Sequence, residues 1–277
     1  MTAVDADSDG RVDLLTEGTD GQPQLLRDIG PRFEPSKLWD FGDMGVATTV
    51  TLADMDDDGD KDAAFSGSVA GIGLQDDGHF QPVTTDFDRC VDAVFGDLDH
   101  DGDADIACAG NKLGLWSNDG TGDFRDITAS TEGDGARTRQ VLFSDLDTDR
   151  DVDILTAGGT GFGLYSNNRD GTFTDVAATR GLKGADIRAL AVADFAANGS
   201  MDVAAVSGSG ASLFVNEGTQ FTENSLDMVA DANGLIGADL DNDGDIDLLL
   251  GTDNGLELRQ NGSDDRISGF GSLLEDF

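Results

Sequence analysis

Short apolar clusters alternate with polar, Gly-rich segments along the whole chain, and one stretch shows the pattern best. Arg89 to Gly96 (RCVDAVFG) reads as a strand, an Asp-rich loop follows, and Asp105 to Ala109 reads as a second strand. After the turn AGNK, Leu113 to Ser117 forms a third strand. The turn NDGTGD comes next, and Phe124 to Thr128 forms a fourth. No segment carries the periodicity of a long helix. Apolar runs such as Ala189 to Ala193 and Leu248 to Leu250 are far too short to span a bilayer.

The same order recurs. The strings DADSDGRVDLL from Asp5, DMDDDGDKDAA from Asp54, DLDHDGDADIA from Asp97, DLDTDRDVDIL from Asp145, DFAANGSMDVA from Asp194 and DLDNDGDIDLL from Asp239 are one motif, spaced by 49, 43, 48, 49 and 45 residues. Six such units account for all 277 residues as a single domain. Four antiparallel strands per unit at this period predict an all-β fold, a β-propeller of six four-stranded blades with the Asp-rich loops between first and second strands. The approximate blades are 1–45, 46–88, 89–136, 137–186, 187–232 and 233–277. Thr2 to Val4 match Thr51 to Ala53, a register that favours closure of six blades. The tail GFGSLLEDF could instead complete the first blade, or the chain could be a piece of a longer propeller. A second repeated feature is the turn between third and fourth strands, seen as Ser117-Asn118-Asp119-Gly120, Ser166-Asn167-Asn168 and Val215-Asn216-Glu217-Gly218, with Asp76-Asp77-Gly78 a looser version. Asn and Gly there suit the positive φ of tight hairpins, and the following Phe can pack between blades.

Numbered from its first Asp, each loop places carboxylates at positions 1, 3, 5 and 9, which converge in a turning backbone while position 7 offers a carbonyl. Gly at position 6 allows the sharp turn. Six or seven hard oxygens suit Ca²⁺ better than the stricter octahedron of Mg²⁺, and His and Cys ligands for Zn²⁺ are missing. Five loops keep the whole set, predicting about five ions: Asp5, Asp7, Asp9, Arg11 and Asp13; Asp54, Asp56, Asp58, Asp60 and Asp62; Asp97, Asp99, Asp101, Asp103 and Asp105; Asp145, Asp147, Asp149, Asp151 and Asp153; Asp239, Asp241, Asp243, Asp245 and Asp247, with the seventh residue of each contributing its carbonyl. The fourth loop carries Arg150 in place of Gly. The fifth keeps Asp194, Asn198 and Asp202 but has Ala196 at position 3, which predicts a weak or empty site. An EF-hand shares the opening D-x-D-x-D-G but needs Glu at position 12, where these loops have Thr16, Phe65, Cys108, Thr156, Ala205 and Leu250. Asp, Asn and Gly are also ordinary turn formers, yet turn chemistry does not require four converging carboxylates in repeated copies.

Both motifs at this period resemble the FG-GAP and VCBS-type repeats, whose α-integrin, bacterial surface and cartilage-acidic-protein-like members form calcium-bearing propellers. NDGTGDFRDIT and NNRDGTFTDVA look especially like the last of these. The resemblance implies an interaction module binding protein or carbohydrate.

Composition narrows the function classes. Fifty-six acidic side chains stand against 17 basic ones, a formal charge of −39, and 49 of the acids are Asp, 26 of them at positions 1, 3, 5, 7 and 9 of the six loops. So acidic a surface is repelled by nucleic-acid backbones and anionic lipid headgroups. With only four Lys, a salt-adapted source also fits. Cys90 and Cys108 lie diagonally on the first and second strands of one blade, as a disulfide or as two buried thiols. Extracellular-type calcium modules bind at roughly 10⁻⁴ to 10⁻³ M, far above cytosolic calcium. An extracellular, periplasmic or cell-surface location follows, although Met1-Thr2-Ala3-Val4 does not open a leader. On the face opposite the loops the scarce cations Arg89, Lys112, Arg137, Arg139, Arg180, Lys183 and Arg188 collect, and Arg89, Arg137, Arg139 and Arg188 form a candidate rim for an acidic group of a protein or glycan partner. The expected molecule is a monomeric domain of a larger protein. Catalysis is not expected. His79 and His100 are the only imidazoles, and neither a Ser-His-Asp set nor a phosphate cradle is evident. A calcium-dependent phytase- or lyase-like propeller, or a purely structural segment, are the competing readings.

Overall fold

In a computed structural model, the described residues are 2–7, 9–18, 23–40, 47–67, 71–83, 90–132, 138–226, 232–262, 266–267 and 271–272. They form six sheets, each built on four antiparallel strands in chain order, together with a two-stranded pair of Asn261–Gly262 with Arg266–Ile267. The fold class is the β-propeller that the repeat predicts. The chain groups into two compact units, Met1–Ala129 and Ser130–Phe277, with three blades in each.

The third blade runs Asp92–Gly96, Asp105–Ala109, Gly114–Asn118 and Phe124–Asp126, within a few residues of expectation. Its last strand is shorter than the sequence suggests, because Thr128–Ser130 close a 3₁₀ turn. Blade four gains a fifth strand, Thr131–Glu132, parallel to its outer edge at Phe173 and Thr174. In blade six, Gly271–Ser272 pair with Leu258 and Glu257 and supply the fourth strand. Gly271–Ser272, the described residues of the tail, therefore add to the last blade.

Second strands are buried along their length, as in Asp105–Ala109 and Asp153–Gly158. A central strand packed on both faces by neighbouring blades reads as a continuous apolar run and shows no alternation. Within the first unit, Leu15, Leu25, Val50, Phe65 and Phe80 join blades one and two, and Met55, Ile72, Ile106 and Trp116 join blades two and three. Within the second, Leu155, Leu164, Val203 and Phe214 join blades four and five, and Val206, Leu213, Leu248 and Leu250 join five and six. Cys90 and Cys108 form a disulfide with Cα atoms 5.5 Å apart, which settles the pairing that spacing leaves open.

Candidate metal centres and the opposite rim

Every Asp-rich loop is shaped by its own carboxylates. The position-1 oxygen accepts the amide of position 6, as in Asp54 Oδ2 from Gly59 at 3.1 Å and Asp97 Oδ2 from Gly102 at 3.2 Å. Position 5 accepts the amide of position 7, as in Asp58 from Asp60 at 2.8 Å and Asp101 from Asp103 at 3.0 Å. Position 9 is buried and accepts two amides. Asp105 takes those of Leu98 at 2.7 Å and Asn118 at 2.8 Å, and the same pair of bonds recurs at Asp13, Asp62, Asp153 and Asp247, while Asp202 takes the amide of the third loop residue, Ala196, with that of Asn216. Position 3 is steadied from the end of the third strand, by Ser117 on Asp99 at 3.2 Å, Ser166 on Asp147 at 3.1 Å and Gln260 on Asp241 at 2.9 Å. In loop one, Arg27 makes this contact to Asp7.

Position 6 is left-handed throughout, including Arg150 at φ 78° beside Gly59 at 93° and Gly102 at 99°. Position 4 is left-handed as well, at Asp57, His100, Thr148, Ala197 and Asn242, a feature the sequence does not announce. The β-branched Thr148 at φ 62° and Arg150 make loop four the most strained. Replacing Arg150 by Gly is expected to stabilise the protein by about 1 kcal/mol, read as a higher urea midpoint at unchanged slope.

Five groups of carboxylates then converge, each with one oxygen per residue within 4.8 Å of the others. Loops one, four and six bring together positions 1, 3 and 9, namely Asp5, Asp7 and Asp13; Asp145, Asp147 and Asp153; Asp239, Asp241 and Asp247. Loops two and three bring together positions 1, 3 and 5, namely Asp54, Asp56 and Asp58, and Asp97, Asp99 and Asp101. The remaining acids of each predicted set stand beside these groups and shape the loop. Loop five forms no such group among the described residues; the Asn198 amide turns back to donate to the carbonyl of Asn216 at 3.2 Å. Ala196 removes the position-3 carboxylate and Val215 removes the side chain that would steady it.

The donor set fits a hard divalent cation. Asp54, Asp56, Asp97 and Asp239 each keep a buried Oδ1 without a hydrogen-bond donor, among like charges, an arrangement that costs free energy unless a positive charge compensates. Burial, reinforced by the neighbouring carboxylates, pushes Asp62, Asp105 and Asp153 up to about 6 despite their two amide bonds. Burial and Asp58 also raise Asp56, and burial and Asp149 raise Asp147. A carboxyl whose folded pKa is raised holds its proton better folded than unfolded. Its contribution to stability is present below the unfolded value of 3.8 and is lost as pH rises through about 6. In EDTA, the melting temperature is therefore expected to rise as pH falls from 7 to 5.5, while cation affinity falls over the same interval because protons compete for these oxygens.

The Asn of the third-to-fourth-strand turn has a role that turn chemistry does not suggest. Asn118, Asn167 and Asn216 are buried and do not have positive φ; Gly120, Arg169 and Gly218 do. The side-chain amide of Asn118 donates to the carbonyl of Met55 at 2.7 Å, that of Asn216 to Leu146 at 2.8 Å and that of Asn261 to Phe195 at 2.7 Å. Each ties its blade to the second residue of the preceding loop.

On the opposite rim, Arg139 and Arg188 occupy bulged positions of the first strands of blades four and five. Arg139 donates to Asp186 at 2.8 Å and to the carbonyl of Ile187 at 3.3 Å, and Arg188 lies 3.6 Å from Asp186. Arg89 and Arg137 lie outside the described residues. Arg180 leaves the predicted group. It binds the carbonyls of Leu146 and Gly218 on the loop side, and its guanidinium lies 4.9 Å over Phe221. The turn after the fourth strand of blade four carries it back across the blade edge, which linear spacing cannot reveal.

The FG-GAP-like repeat family matches residues 97–156 and 145–205. No curated protein sequence matches the chain. Among solved structures, an Agrocybe aegerita lectin described as recognising non-reducing terminal N-acetylglucosamine is similar over 99% of this chain and 80% of its own, at 20% identity and TM-score 0.66. BBS1N in complex with ARL6DN is similar over 93% and 78%, at 13% identity and TM-score 0.60. The extracellular domain of a one-component system from B. thetaiotaomicron is similar over 91% of this chain and 31% of that one, at 17% identity and TM-score 0.55. The six blades with their Asp-rich loops make this chain a β-propeller, and its residues 97–205 match FG-GAP-like repeats.

Proposed function

We propose that this chain is a calcium-stabilised interaction module of an exported protein, which binds a protein or glycan partner and catalyses no reaction. The observation that carries the reading is the set of five carboxylate groups with buried oxygens awaiting a positive charge. Bound calcium would be held by the converging Asp side chains and the carbonyls of Arg11, Asp60, Asp103, Asp151 and Asp245. Its role is to fasten each first strand to its second. The Cys90–Cys108 disulfide fits an oxidising, calcium-rich compartment. Two solved neighbours are described with a glycan or a protein partner, which fits a binding role for this scaffold.

The rim opposite the loops is the proposed contact, with Arg139 and Arg188 sharing Asp186 and able to turn toward an incoming carboxylate. A glycan array and a pull-down from the source's surface fraction, each with calcium and with EGTA, test the reading. A ligand retained in calcium and lost with Arg139→Glu supports it. Binding to neither in calcium sinks the partner reading and leaves a structural segment.

A further inference from the structure

We propose that the five acidic loops fall into two affinity classes, and that Arg27 and Arg169 set the difference as tethered positive charges which a divalent cation must displace. The inference rests on the cation reading above and concerns which loops need an ion from outside.

Arg27 lies at the end of the third strand of blade one. Its Nη2 is against Asp7 Oδ2 and 3.9 Å from Asp9 Oδ2, two predicted ligands of loop one. The corresponding residues of the other blades are Leu74, Ser117, Ser166, Val215 and Gln260, none of which brings a charge. Arg169 reaches loop four from the hairpin after the third strand. Its Nε is against Asp151 Oδ2, its Nη2 is against the Asp149 carbonyl, and it lies 3.6 Å from Asp149 Oδ2. Arg169 holds φ 61° where blades three and five have Gly120 and Gly218, so a bulky cationic side chain stands at a position that favours glycine.

Buried oxygens divide the loops in the same way. Asp54, Asp56, Asp97 and Asp239 belong to loops two, three and six, where no Arg or Lys pairs with any acid of the loop among the described residues. Loop four contributes no such oxygen, and the one in loop one, Asp7 Oδ2, has Arg27 against it. Three loops therefore need an external cation, two carry a weaker one of their own, and loop five closes through Asn198. Exposed ion pairs change an affinity by about 2- to 5-fold each, so two contacts per arginine weaken loops one and four by roughly 4- to 25-fold.

Calcium titration of the cation-stripped full chain by calorimetry, with ions counted by native mass spectrometry, tests this. Wild type is expected to take up three ions first and two more at roughly 4- to 25-fold higher concentration. The double variant Arg27→Gln, Arg169→Gln is expected to take up five as one class, and to melt lower than wild type in EGTA but not in calcium. Should it fold poorly, Arg27→Ser with Arg169→Gly installs the residues that other blades carry. Arg32→Gln, which removes a charge paired with Glu34, is the control and should leave the classes unchanged. A weak class that survives in both double variants, or that Arg32→Gln abolishes equally, overturns the inference while leaving cation binding intact. Absence of any uptake by wild type overturns the cation reading itself.

Discussion

Adding excess EGTA is expected to lower the melting temperature by more than about 15 °C. Each ion that binds the folded loop and not the unfolded chain stabilises by about 2.7 kcal/mol at a hundredfold excess over its dissociation constant. Three tight loops alone would supply about 8 kcal/mol, comparable with the whole stability of an ordinary domain. In a chain of this size 1 kcal/mol moves the melting temperature by about 2 to 4 °C. The loss should be steep because three buried carboxylate groups would be left to repel one another without compensation. Differential scanning calorimetry in calcium and in EGTA checks it, and an unmoved melting curve would mean that the loops are turns and nothing more.

Asp105→Ala is expected to destabilise by about 4 kcal/mol in calcium. It strands the amides of Leu98 and Asn118, both buried, at about 1 to 3 kcal/mol each, and it removes negative charge from the loop-three site. Asp202→Ala strands the amides of Ala196 and Asn216 in the loop that forms no acidic group among the described residues. Its cost should be the same in calcium and in EGTA, whereas that of Asp105→Ala should shrink in EGTA. Urea denaturation of both variants in the two conditions separates the structural work of the ninth residue from its electrostatic work. Equal calcium dependence in the two variants would contradict the division.

Why the Asp-rich loops were legible and the rims were not follows from where the determining contacts lie. Asp97 to Asp105 is nine residues long, and its geometry comes from hydrogen bonds within the loop and to the adjoining strand. Spacing alone therefore finds the acids that converge and the missing one at Ala196. Conformational restrictions at Arg150 were legible for the same reason, since five other copies place Gly there. The left-handed fourth position was not, because Asp57, His100, Thr148, Ala197 and Asn242 share no side-chain chemistry.

Contacts across blades follow a different rule. Asn118 reads as a turn former until its amide is seen on Met55, 63 residues earlier in the chain. Arg180 reads as one more rim cation until the chain carries it to Leu146 and Phe221. Arg27 and Arg169 lie 18 and 18 residues beyond the acids Asp9 and Asp151 that they meet. The sequence by itself determined the repeat, the strand order, the all-β class and the carboxylate loops, because each is encoded within a hairpin. The tertiary structure alone decided which oxygens lack a partner, which arginines pair with the acids of the loops and which asparagines join neighbouring blades. Those outcomes depend on side chains brought together by packing, and linear spacing carries no record of them.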